Sequence, residues 1–148
     1  MTDMPLEDRI ALQDLMTAYC YAVDRLDDID TLLALFTPDA TLDFTRIGLP
    51  LMEGHGAIRA FFDGVFADMT HHAHHIGNFR PIRHAGDTAA MTAYVHGLGR
   101  ARDGNTVDVH VEYTFDCVRT AAGWKCRRYS MFSLLPLPGS LAEIHGSR

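Results

Sequence analysis

Several things are scarce or missing in this 148-residue chain, and each absence excludes something. Cysteine occurs only three times, at Cys20, Cys117 and Cys126, with no CxxC pair among them. An odd count without a metal-ligand spacing argues against a disulfide framework and fits buried, reduced thiols of a cytoplasmic protein. No apolar run approaches the roughly 20 residues that span a bilayer, so no membrane association is expected. The opening stretch, MTDMPLEDRI, is acidic and polar, unlike a secretory signal. Net positive charge is lacking too: at −6 the chain repels phosphate backbones, which speaks against nucleic acid as a partner. Neither GxGxxG nor GxxxxGK[ST] occurs, so no nucleotide cofactor is signalled. Repeats, low-complexity tracts and interdomain linkers are also absent. The length suggests a single domain over 1–148, with a core at 6–133 and an irregular tail at 134–148.

What is present is an apolar content of 47% and nine histidines, four of them within MTHHAHHIGN at 69–78. Residues 6–26 place Leu12, Leu15, Met16, Tyr19, Ala22, Val23 and Leu26 on one helical stripe. Residues 29–36 read as a second short helix, stopped by Pro38. Residues 40–45 alternate as a strand, and 48–56 are read as a loop. Residues 57–69 form a third helix that buries Ile58, Phe61, Phe62, Val65 and Met69. The period then changes to two. Strands are expected over 74–83, 89–101, 107–117 and 124–134, joined by turns at AGDT, RDGN and TAAG. Pro81 suits an edge strand or a bulge. Helices first and hairpin-linked strands after imply an α+β fold, a curved antiparallel sheet packed against three helices of the N-terminal half. Such a sheet wraps an apolar cavity fit for a small ligand.

The run AYCYAVDRLDDIDTLLALFTPDATLDF, then GHGAIRAFF, HHIGN, GDTA and GWKCRRY, resembles SnoaL-like proteins of the nuclear-transport-factor-2-like superfamily, over roughly residues 6–133. The resemblance implies a cone-shaped α+β fold. Among its enzymatic branches are scytalone dehydratase, bile-acid 7α-dehydratase and hexachlorocyclohexane dehydrochlorinase, cofactor-independent lyases with an Asp–His pair in the cone. Carried over position by position, the resemblance implies Asp24 and His74 as that pair and Tyr19, five residues before Asp24, as their catalytic companion. It also implies Asn78 in the His-x-x-x-Asn pattern and a last-strand residue lining the site. A cationic residue is expected at the position of Tyr129, whereas the arginine stands one place early, at Arg128. The scaffold also hosts isomerases and non-catalytic subunits.

The residues themselves qualify these expectations. If 74–78 is extended, His74, Ile76 and Asn78 share one face and His75 the other. Asp24 falls about 140° from Tyr19 on the helical wheel, off the apolar stripe, so its place in the cavity rests on the resemblance. Tyr94 and His96 share one strand face and are candidate cavity residues. Trp124 reads as core. His71 and His72 fall near the end of the third helix, where imidazoles complement its dipole. The cluster lacks zinc-like spacings, so no metal is expected. The expected function is a cofactor-independent dehydratase-like lyase for a small hydrophobic cyclic substrate, polyketide-, steroid- or aromatic-like. Alternatives are a ketosteroid-isomerase-like isomerase and a binding protein such as a dioxygenase small subunit. A homo-oligomer, trimer or dimer, is expected, with the apolar tail at 134–144 lidding the cavity or reaching a neighbour.

Overall fold

The computed structural model describes residues 3–137 and 144–145. Helix α1 spans Leu6–Arg25 and α2 spans Ile29–Leu33. Strand β1 (Phe36–Asp43), a single 3₁₀ turn (Thr45–Ile47) and strand β2 (Leu51–Glu53) lead to α3 (Gly54–Asp68). Four long strands follow: β3 (Met69–Ala85), β4 (Thr88–Ala101), β5 (Thr106–Thr120) and β6 (Gly123–Ser133). They form one curved, open sheet in the order β2-β1-β6-β5-β4-β3. All pairings are antiparallel except β1 with β6. This is the expected α+β cone of three helices against a wrapped sheet.

The apolar stripe of α1 behaves as its spacing predicts. Leu12, Leu15, Met16, Tyr19, Ala22 and Val23 are buried. Leu26 ends the helix in the left-handed conformation (φ 64°), a C-terminal geometry more often filled by glycine. On β5, Val107, Val111, Tyr113, Phe115 and Cys117 point into the core, as strict alternation requires. The three cysteines are free and buried. No described helix is long and apolar enough to cross a membrane.

Three boundaries differ from expectation. Pro38 does not end a helix. It lies within β1, where the register against β6 shifts between Phe36 and Thr41, a position at which the missing N–H costs no ladder bond. Part of the expected loop at 48–56 is strand β2, three residues long and therefore without a readable period. Most consequentially, the sheet begins at Met69 rather than at 74, because α3 stops at Asp68. His71 and His72 are thus strand residues, not helix-end residues.

Trp124 packs against the margin of the core rather than within it. Its indole N–H donates to Asp8 at 3.2 Å, and the Arg119 guanidinium lies 4.5 Å from its ring centre. Asp8 also accepts from His84 on β3 (3.0 Å) and Arg119 on β5 (3.1 Å). One buried carboxylate therefore ties the start of α1 to three strands.

Candidate functional site

The pocket opens inside the cone, between α1, α3 and the concave face of the sheet. It encloses about 640 Å³ counted with its open mouth. Apolar side chains from α1, α3 and the strands make most of the wall, among them Val23, Phe62, Val65, Val109 and Met131. Its polar contributors are Tyr19, His72, His74, Tyr113 and His145, and among the described residues no Lys, Arg, Asp or Glu lines it.

Asp24 and His74 meet although fifty positions separate them. The carboxylate accepts twice from the same residue: Oδ1 takes the His74 ring at Nδ1 (2.5 Å) and Oδ2 takes the His74 backbone N–H (3.0 Å). Topology explains the second bond. β3 is an edge strand, so its outward N–H groups have no strand to pair with, and Asp24 fills that vacancy at His74. The same fact resolves the wheel argument. Tyr19 points into the core while Asp24, off the stripe, points sideways at the sheet edge that packs on α1. The ring proton of His74 lies on Nδ1, toward the carboxylate, which leaves Nε2 as the basic atom.

His72 lies two residues earlier on β3 and shares the pocket face. Its ring is perpendicular to that of His74, with centres 5.5 Å apart. Nδ1 sits 3.0 Å from the Val23 carbonyl. That carbonyl belongs to the last turn of α1 and has no intrahelical donor. Burial pushes the His72 pKa down to about 4. Two glycines on β4 make room for both rings. A Cβ at Gly97 would stand 3.3 Å from the His74 ring, and one at Gly99 would stand 3.0 Å from the His72 ring and 2.6 Å from Met69. The stretch HGLGR carries the signal that could have located the site, since glycine inside a strand often marks a close approach.

Tyr19 lines the pocket from the centre of an aromatic cluster. Its ring meets Tyr129 at 4.9 Å and Phe115 and Tyr113 at 5.8 Å, all edge-to-face. Burial raises the pKa values of Tyr19, Tyr113 and Tyr129, so all three remain phenols. The Tyr129 hydroxyl is buried without a hydrogen bond of ordinary geometry, though the Tyr19 and Tyr113 hydroxyls lie close by. Tyr129 supports Tyr19 and is not among the pocket-lining residues.

Asn78, Tyr94, His96 and Arg128 lie elsewhere. The parity linking Asn78 to His74 breaks at a bulge: Asn78 has φ 51° and the β3–β4 register shifts between Gly77 and Arg80. On β4 the odd-numbered residues, including Val95, Gly97 and Gly99, face inward, so Tyr94 and His96 face out. They line a shallow outer depression with Asn78 and His110. Arg128 is about half exposed and pairs with Asp43 at 3.0 Å. His75, like Tyr94 and Asn78, is exposed on the outer surface.

The chain's end supplies a residue with no sequence signal at all. Ile144 and His145 are buried, and His145 lines the pocket with its Nδ1 lacking a hydrogen-bond partner among the described residues. Residues 138–143, which fall in the stretch expected to lid the cavity, lie outside the described residues. Among the described residues two side-chain sets have the spacing to hold a divalent cation: Asp24, His72 and His74 inside, and His96, Asp108 and His110 outside, each with ligand atoms within 4.8 Å of one another.

The SnoaL-like domain family matches residues 4–130. The chain belongs to this family. An uncharacterized protein of Mycobacterium tuberculosis is 32% identical over 127 residues, covering 83% of each chain. A candidate aromatic ring hydroxylase from Novosphingobium aromaticivorans superposes with a TM-score of 0.93 at 50% identity, over 96% of this chain and 99% of that one. A candidate scytalone dehydratase from the same organism gives 0.80 at 21% identity, over 91% and 89%. At that identity the likeness concerns the fold. Solved chains that share this fold carry dehydratase, dehydrochlorinase and ketosteroid-isomerase-like names.

Proposed function

We propose that this SnoaL-like protein is a cofactor-independent lyase of the dehydratase type, acting on a small, uncharged, largely apolar cyclic substrate. The observation that carries the reading is the Asp24–His74 pair, with one carboxylate holding both the ring N–H and the backbone N–H of the histidine at the wall of an apolar pocket. A merely structural aspartate needs no such grip on a ring whose other nitrogen faces a cavity. Among the described residues the lining holds no Lys, Arg, Asp or Glu, which favours neutral substrates, because an anion against that wall would lose its hydration without a partner.

In the proposed reaction, His74 Nε2 takes a proton from a carbon next to a carbonyl. The electrons of that C–H bond form the new C=C bond as the neighbouring C–O bond breaks. The imidazolium, stabilised by Asp24, returns its proton to the departing hydroxyl, which leaves as water. Tyr19, held as a phenol by burial, donates a hydrogen bond to the developing enolate. Asn78, Tyr94, His96 and Arg128 have no part in this scheme.

The test is turnover of a panel of cyclic β-hydroxy ketones in deuterated buffer, followed by proton NMR. Loss of water with appearance of the enone is expected from the native protein. His74→Ala and Asp24→Asn should each lower the rate by about 10²–10⁴ while leaving the fold intact. Full activity in both variants would overturn the assignment. Deuterium exchange without loss of water would make the protein an isomerase. One observation favours a different class, the likeness at 50% identity to a protein named as a candidate aromatic ring hydroxylase. Co-purification with a large iron–sulfur partner, together with no turnover, would support a subunit role.

A further inference from the structure

The dyad accounts for His74 and Asp24 but leaves His72 unexplained. A histidine that only capped α1 would need its Nδ1 and nothing more. This one is also placed on the pocket wall, perpendicular to the proposed base, over a glycine whose missing side chain lets it lie there. Its protonation pattern follows from its partner. The Val23 carbonyl can only accept, so the ring's hydrogen is on Nδ1 and Nε2 is a lone pair. Nε2 of His72 can therefore accept a hydrogen bond and cannot donate one. Tyr19 and Tyr113, in contrast, remain phenols that can donate.

We propose that His72 is a positioning and selectivity residue: its Nε2 accepts a hydrogen bond from a hydroxyl group on the substrate and so sets which carbon faces His74. The substrate class narrows accordingly to neutral cyclic compounds that carry a free hydroxyl within about one ring's width of the reacting carbon. Ethers and deoxy analogues of the same shape leave Nε2 unsatisfied in a dry wall, which is the kind of mismatch a polar site rejects. The part of this inference that concerns the reacting carbon rests on the lyase reading. The hydroxyl preference does not, because it is a property of binding alone.

The experiment compares 2-naphthol with 2-methoxynaphthalene as probes of matched shape. Their affinities are measured by titration, and the imidazole nitrogens of uniformly ¹⁵N-labelled protein are followed by NMR. The native protein should show His72 as the Nδ1–H form. Addition of 2-naphthol should shift its Nε2 resonance, and 2-naphthol should bind roughly tenfold more tightly than the ether, the size of one well-made neutral hydrogen bond. His72→Leu should abolish that preference, His72→Gln, which keeps an acceptor oxygen, should restore it, and His74→Ala should retain it. A protonated Nε2 on His72, or an unchanged preference in His72→Leu, would overturn the proposal. Should His72→Leu fail to fold, the NMR measurement on the native protein decides by itself. Full turnover in His74→Ala would overturn the lyase reading and leave the hydroxyl preference standing.

Discussion

Helix α1 carries an aspartate near each end, and each reaches a histidine on β3. Asp8 pairs with His84 at 3.0 Å and Asp24 pairs with His74 at 2.5 Å. The two pairs look alike and differ in what else surrounds the carboxylate. Asp8 is 5% exposed and takes further donors from Arg119 and Trp124, so its charge is spread over three partners. Burial works against its ionisation, but the hydrogen bonds from His84, Arg119 and Trp124 prevail and hold the carboxyl below its usual range. Asp24 spends both oxygens on one residue, and the far side of that residue's ring opens on the pocket. An aspartate–histidine contact is thus structural where the histidine is one donor among several, and available for chemistry where the histidine's second nitrogen faces a void.

Removing the charge at the structural end should have the largest effect on stability. Asp8→Ala leaves Arg119, His84 and Trp124 without their shared acceptor and should cost about 3–5 kcal/mol, read as a lowered midpoint in urea. Asp24→Ala should cost distinctly less, because its side chain is one-quarter exposed and water can replace it at the strand edge. Equal losses at the two ends would break the contrast.

Acid separates the same two regions. His72 has its pKa lowered to about 4, below the roughly 6.5 of an unfolded histidine. Above pH 6.5 neither state is protonated and there is no penalty. As the pH falls from 6.5 toward 4 the unfolded chain binds a proton that the folded chain refuses, so stability drops, by about 3 kcal/mol at most. His145, also lowered by burial, acts in the same direction. The contribution of Asp8 has the opposite origin, a depressed carboxyl, and is lost only at lower pH, as that group is protonated. Denaturation midpoints between pH 7 and 4 should therefore fall in the native protein and flatten in His72→Gln. An unaltered slope would remove the burial of a neutral His72 from the account.

The smallest effect tests the room made for the rings. Gly99→Ala brings a methyl within 2.6 Å of Met69 and 3.0 Å of His72 and should cost about 1–3 kcal/mol with a displaced His72 resonance. Gly97→Ala, whose nearest contacts are 3.2–3.3 Å, should cost less.

Much of this molecule was legible in its residues. The stripe of α1 and the alternation of β5 are long enough to set their own burial, and the fold class follows from helices preceding hairpins. The inner wall of the site was less so. His72 escaped because apolar residues up to Met69 fit a helical period, and a strand taken to start at 74 leaves His72 with no parity. Asn78 was misplaced because a parity argument holds only while the ladder is regular, and a bulge interrupts it. Tyr94 and His96 shared a face as read, but alternation says which residues go together and not which face is concave. Asp24 looked solvated on the wheel because a helical stripe records burial against the core and is silent about an edge strand lying beside the helix.

Patterning by itself determined which residues are inside, since transfer from water depends on each side chain's own apolar surface. It determined neither which polar atoms meet nor what they face. Asp24 finds His74 because the end strand of the sheet lies along α1 with an unpaired N–H, and His72 finds Val23 because a helix end there leaves a carbonyl without a donor. His145 finds the same pocket from the far end of the chain. These are properties of how distant segments pack, and only the tertiary structure decided them.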